Sequence, residues 1–115
     1  MSKILLKTIK KRVDFINVSK KGKKKFTKGF ILQQYKRDLS SKENTARIGF
    51  TITKKIGGAV IRNKIKRRFI SIIKEVVNNH LKKNYDYVIV ANKKSLAMNY
   101  QDLKNDVIKL VKRIL

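Results

Sequence analysis

Cysteine is missing from this chain, which removes disulfides and thiolate metal sites together. Long hydrophobic runs are missing too: no stretch approaches the roughly 18–20 continuous apolar residues that span a bilayer. Near the N-terminus Lys3, Lys7 and Lys10 interrupt the apolar residues, so the apolar centre of a signal peptide is absent. On these grounds the chain is expected to be cytoplasmic, with no segment that crosses a membrane. Acidic residues are scarce. Seven Asp and Glu stand against 31 Lys and Arg, a formal net charge of +24.

The shortage of acids bears on chemistry. A protein nuclease needs a general acid and base, or carboxylates that hold a divalent metal. Asp14, Asp38, Glu43, Glu75, Asp86, Asp102 and Asp106 are scattered. Asp102 and Asp106 are four apart on the expected last helix, where capping and solvation account for them. The single histidine, His80, falls near the expected end of a helix, where a donor or cation meets the dipole favourably. No Walker-type phosphate loop occurs. Gly57-Gly58 ahead of a helix could cradle a phosphate, though a turn for close helix–strand packing explains the pair equally well. No catalytic residue and no metal-ligand set is expected; these residues describe a binder.

Positive charge and a foldable core are what the chain has in quantity. With 42% hydrophobic residues among 115, it suits one domain, residues 1–115, burying roughly 60–70% of the surface its unfolded form exposes. That excludes a disordered basic tail. Self-repulsion at +24 destabilises an isolated fold and is relieved by a partner of negative charge. DNA, RNA and anionic membrane are the candidates.

The stretch Thr51–Val77, TITKKIGGAVIRNKIKRRFISIIKEVV, organises the rest. It opens as an alternating apolar run, breaks at Gly57-Gly58 and continues as a helix expected to reach about residues 80–83. At about 100° per residue, Ile61, Ile65, Phe69, Ile72 and Val76 share one narrow apolar arc. Arg62, Asn63, Lys66 and Arg67 fall on other arcs, and Lys64 and Arg68 flank the apolar stripe. Lys54 to Arg68 holds seven cations and no carboxylate, so no ion pair within the segment neutralises it. A basic helix is ordinarily a solvated face. Here the missing acids, and the planar groups of Arg62 and Asn63 suited to directed hydrogen bonds, favour contact with nucleic acid.

Elsewhere, an extended or partly ordered lead-in is expected over 1–10, then a short helix over about 10–20 with Phe15 and Val18 on one face and Gly22 as its stop. A short strand is expected around Phe26, inside the basic segment 20–28. Gly29–Lys36 reads as a strand rich in β-formers. Ala46–Thr53 is another, Ile48, Phe50 and Ile52 alternating with Arg47, Gly49 and Thr51. Joined by some eight residues, these two are expected to pair antiparallel. Tyr85–Ala91 is a strongly apolar strand that must be interior, and with the strand and helix before it forms a βαβ crossover. A last helix over about 99–114 turns Leu103, Val107, Leu110, Val111 and Ile114 to the core, with Asn99 and Asp102 as its cap. The expected fold is α+β in the order αβββαβα, its helices covering one face of a four-stranded sheet.

Lys54-Lys55-Ile56-Gly57, then Ala59-Val60, then Arg62-Asn63-Lys64-Ile65-Lys66-Arg67-Arg68 closely resembles the signature of the bacterial ribonuclease P protein subunit, whose motif centres on an Arg-Asn-Arg/Lys helix. Asp14-Phe15, Gly22, the Phe30 strand, Ile48-Gly49, Tyr87–Ala91 and the closing helix follow in that family's order, so the resemblance covers most of the chain. It implies a single-domain α+β sandwich with a left-handed βαβ crossover, against the usual right-handed rule. It also implies the protein subunit of an endoribonuclease whose catalyst is an RNA. That RNA, with Mg2+ held mainly by the RNA itself, removes the 5′ leader from precursor tRNA. The implied partners are the ribonuclease P RNA and the precursor tRNA leader, with no obligate protein partner.

By position, the resemblance assigns Arg62, Asn63, Lys64, Lys66, Arg67 and Arg68 to RNA binding on the motif helix. It assigns Phe15, Ile31, Gln33, Lys54 and Lys55 to a cleft for the single-stranded leader, which wants cations along its backbone and apolar or aromatic faces for its bases. Core packing competes for Phe15, and Tyr35 is assigned to sheet packing. The sequence departs from the family pattern at Ser19 and Gln33, where aromatics are common, and at Ile70, where an Arg usually closes the motif. Gln33 keeps the capacity to hydrogen-bond a base edge or ribose. The main rival is a ribosomal or ribosome-assembly RNA-binding protein, which shares the charge without needing a leader cleft. A protein-only nuclease is opposed by the scattered carboxylates, and an anionic-membrane binder by an apolar arc that a sheet must cover.

Overall fold

Tyr85–Ala91 carries apolar residues on both its faces, and such a strand needs neighbours on each side and cover above and below. The computed structural model describes residues 5–37, 45–76 and 81–113. Its elements are β1 (Leu5–Thr8), α1 (Arg12–Lys21), β2 (Lys23–Phe26), β3 (Phe30–Lys36), β4 (Thr45–Thr51), α2 (Ala59–Val76), β5 (Tyr85–Ala91) and α3 (Tyr100–Arg113). Short 3-10 turns occupy Lys54–Ile56 and Lys93–Leu96. The strands form one sheet in the order β1-β4-β5-β3-β2, so β5 is central, parallel to β4 and antiparallel to β3. Asp38, Glu43, His80 and Ile114 lie outside the described residues.

The sheet therefore has five strands, not the expected four. The extra one is β1, drawn from the segment expected to be a lead-in; Leu5 to Thr8 pair in parallel with Thr45 to Ile48. β3 and β4, expected to pair with each other, are separated by β5. The reason is burial: β5 offers Tyr87 and Ile89 to one face and Val88 and Val90 to the other, so the central position removes the most apolar surface from water.

Helices cover both faces instead of one. On one side Ile65, Phe69, Ile72, Ile73 and Val76 of α2 and Leu103, Val107, Leu110 and Val111 of α3 pack on Phe30, Leu32, Ala46, Ile48, Tyr87 and Ile89. Phe69 meets the Phe30 ring edge-on at 5.2 Å. Ile61, at the start of the same arc, is exposed, so core contact begins one turn later than the periodicity suggested. Burial pushes the Tyr87 hydroxyl up to about 12, and this neutral group accepts from Lys82 N at 2.9 Å. The α3 cap forms as expected, Asp102 N donating to Asn99 Oδ1 at 2.8 Å.

On the opposite side α1 sets Val18 against Ile9 and Val88, with Phe15, Tyr35 and Val90 around them. Gly22 ends α1 hard against β3: a Cβ there would lie 2.5 Å from both Gln34 O and Val18 O. This second layer makes the cleft. Among the described residues no helix is long and apolar enough to cross a membrane.

Candidate nucleic-acid interface

The N-terminal half of α1 is pinned to the sheet by apolar contact and by charge. Gly49 lets the Phe15 ring lie directly on β4; a Cβ at Gly49 would come 2.6 Å from Phe15 Cε1. Asp86, 2% exposed, accepts from Arg47 Nε at 2.8 Å and Nη2 at 2.6 Å, and from Arg37 Nη1 at 2.9 Å. Arg47 Nη1 reaches back to Asp14 of α1 at 3.3 Å. The Asp86 hydrogen bonds hold the Arg47 guanidinium above even its ordinary high pKa, burial opposing them. Arg37 Nη2 donates to Thr45 O and Oγ1 at 2.8 and 2.7 Å.

Two cavities share the Phe15 ring. The larger, about 620 Å³, has Gln33, Thr51, Val88 and Val90 of the sheet and Phe15, Ile16 and Ser19 of α1 as its walls, with Lys10 and Arg12 supplying cations. The smaller, about 310 Å³, brings Thr8, Ile9, Phe15, Gly49, Phe50 and Ile52 together with Arg62, Asn63 and Lys66 of α2. One face of an α-helix holds positions i, i+3, i+4 and i+7, which gathers Arg12, Phe15, Ile16 and Ser19. Phe15 is half-buried, so packing and cleft lining are both true of it.

Of the residues expected in the cleft, Phe15 and Gln33 line the larger cavity. Ile31 is half-buried on the same sheet face, paired opposite Val90. Lys54 and Lys55 are exposed on the 3-10 turn and line neither cavity. On α2, Arg62, Asn63 and Lys66 converge on the smaller cavity, while Lys64 and Arg67 are exposed. Arg62 Nε is buried and has no hydrogen-bond partner among the described residues, which leaves it a donor still to be satisfied. Arg68 is different: Nη1 donates to Ser95 O at 2.8 Å and Nη2 to Met98 O, tying α2 to the segment before α3. Gly58 faces open space, so close packing does not explain it.

Lys10, Arg12, Ile16, Thr51, Val88 and Val90 were not foreseen as cleft residues. The helical spacing from Phe15 would have found Arg12 and Ile16, and the second face of the apolar strand Val88 and Val90. The described carboxylates are dispersed: Glu75 bonds Lys104 at 2.8 Å, which holds it below its ordinary pKa, and Asp106 accepts from Thr27 Oγ1 at 3.2 Å. Among the described residues no group of three or more His, Cys, Asp or Glu could hold a metal ion.

Gly49→Ala is expected to displace the Phe15 ring, with an overpacking cost of about 1–3 kcal/mol. A melting curve should shift down by several degrees. An unchanged melt would show that the ring yields freely.

A ribonuclease P family model matches residues 6–115. Ribonuclease P protein components of Paramagnetospirillum magneticum and Bacillus cereus are 34% identical over 112 residues and 36% identical over 105. Those alignments cover 95% of this chain and 83% of the first relative, and 91% and 88% for the second. The fold is similar to that of the Thermotoga maritima RNase P protein, at a TM-score of 0.79 and 26% identity over 95% of this chain and 98% of that one. The Staphylococcus aureus RNase P protein superposes at 0.75 with 27% identity, covering 93% of this chain and 95% of that one. Sequence and fold match over nearly the whole length, and the chain belongs to the ribonuclease P protein family.

Proposed function

We propose that this protein binds the ribonuclease P RNA through the cationic face of α2 and holds the 5′ leader of precursor tRNA in the cleft between α1 and the sheet. The observation that carries the reading is the Phe15 ring shared by two cavities, one lined by Arg62, Asn63 and Lys66 and the other by the apolar sheet face. A leader lying in the larger cavity is then adjacent to whatever RNA α2 engages. Cations at Lys10 and Arg12 suit leader phosphates, and Val88, Val90, Ile16 and Phe15 suit base faces.

Hydrolysis at the leader–tRNA junction is the chemistry of the RNA subunit, with Mg2+ held mainly by that RNA. The described carboxylates are dispersed, and the work of this chain is positional. Arg62, Lys66 and Arg67 neutralise phosphates, which tightens assembly and lets RNA-held cations occupy their sites at lower concentration. No proton moves through a side chain of this protein. The cellular setting is the cytoplasm, where precursor tRNA is matured.

The test is cleavage of a precursor tRNA by a bacterial ribonuclease P RNA at low magnesium, with and without this protein. Restored cleavage at the mature 5′ end, with none by the protein alone, supports the reading. Binding to RNA without stimulation, and with no dependence on leader length, would favour a ribosome-assembly protein instead.

A further inference from the structure

We infer that the leader site continues past the α1 cleft onto the edge strand β2, where Phe26 is a stacking platform for a further unpaired base and Lys24 a partner for its phosphate. The inference rests on the reading of the cleft as the leader site. Of the chain's five Phe and four Tyr, Phe26 alone is exposed, at 69%. A lone exposed apolar side chain is ordinary; its placement is not. The antiparallel register sets Phe26 opposite Ile31 and Lys24 opposite Gln33, and directly opposed residues share a sheet face. Ile31 in turn opposes Val90, and Val90 opposes Thr51. The row Phe26–Ile31–Val90–Thr51 thus carries the cleft floor across to the sheet edge.

With strands about 4.8 Å apart, Phe26 stands roughly 10 Å from Val90, within reach of a strand that emerges from the cleft. Among the residues lining that cleft only Phe15 is aromatic, and Tyr35 on the same face is half-buried against the Val18 cluster, so Phe26 is the next exposed ring on this face. Lys23, Lys24 and Lys25 are all exposed beside it. Lysines on an edge strand guard against edge-to-edge pairing, and that accounts for the cations. It does not account for an exposed Phe among them, which promotes such pairing. A polyanion with unpaired bases satisfies both, because cations meet its backbone and the ring meets a base of any identity.

The experiment uses holoenzyme reconstituted with a bacterial ribonuclease P RNA and precursor tRNAs whose leaders are lengthened stepwise. Phe26→Ala is expected to weaken binding about fivefold or more for leaders long enough to pass the cleft. Short-leader substrates, mature tRNA and the melting temperature should be unaffected, and Phe26→Trp should retain full affinity. Equal affinity for Phe26→Ala and wild type at every length, or an equal loss at every length, overturns the inference while leaving the cleft assignment intact. Wild-type affinity that is independent of leader length sinks the cleft assignment itself.

Discussion

Replacing Asp86 with alanine is expected to lower the unfolding free energy by about 3–5 kcal/mol, the usual cost of removing one partner from a buried ion network. Asp86 is 2% exposed and faces two guanidiniums, Arg47 with two donors and Arg37 with one. Removing the carboxylate leaves two part-buried cations facing each other in a molecule of net charge +24. Among the described residues Arg47 would then keep only Asp14, at 3.3 Å, and α1 would lose its polar anchor on the sheet. Urea titration gives the stability change. A midpoint within error of wild type would mean that solvent reaches and screens the network. Asp86→Asn should fall between the two, since it keeps one acceptor but loses the charge-assisted bonds. Because the network also positions the cleft, leader affinity should drop more than affinity for the ribonuclease P RNA.

Asp86 illustrates what the sequence disclosed and what it withheld. YDYVIVA read as an interior strand because of its apolar residues, and β5 is interior. The single acid within it was itself a signal, because a buried carboxylate must find partners. Those partners, at positions 37 and 47, come from a loop boundary and a neighbouring strand, and only the pairing of β4 with β5 brings Arg47 opposite. Periodicity found the α2 stripe and the Asn99 cap because both are local. β1 escaped because four residues reading LLKT have no internal pattern and become a strand through pairing with β4 in another part of the chain. The short link between β3 and β4 suggested a hairpin, and only the demand of β5 for burial on both faces overrides it. At the interface, the resemblance assigns all the motif cations to RNA binding, although Lys64 and Arg68 flank the apolar stripe. Arg68 departs from the others because the 3-10 turn at Lys93–Leu96 presents carbonyls to it, a contact no spacing rule reveals.

That division among the motif cations sets the other large effect. Substituting Arg62, Lys66 and Arg67 together with alanine is expected to cut affinity for the ribonuclease P RNA at least tenfold near physiological salt, with little change in melting temperature. Lys66 and Arg67 are exposed and Arg62 lines an open cavity, so the core loses little packing. The distinguishing readout is salt dependence. Each lost phosphate contact should make the plot of log affinity against log salt shallower by about 0.7–0.9, so the triple variant should flatten it by roughly 2–3. Arg68→Ala should behave oppositely. It leaves the carbonyls of Ser95 and Met98 without their donor, at about 1–3 kcal/mol for a buried group so stranded, and should lower the melting temperature while keeping the salt slope close to wild type. If the triple variant keeps the wild-type slope, α2 does not face phosphate, and the exposed lysines of β2 become the first place to look for the RNA contact. If Arg68→Ala flattens the slope as much as one of the others does, its guanidinium leaves the carbonyls when RNA binds, and the tie between α2 and α3 opens on assembly.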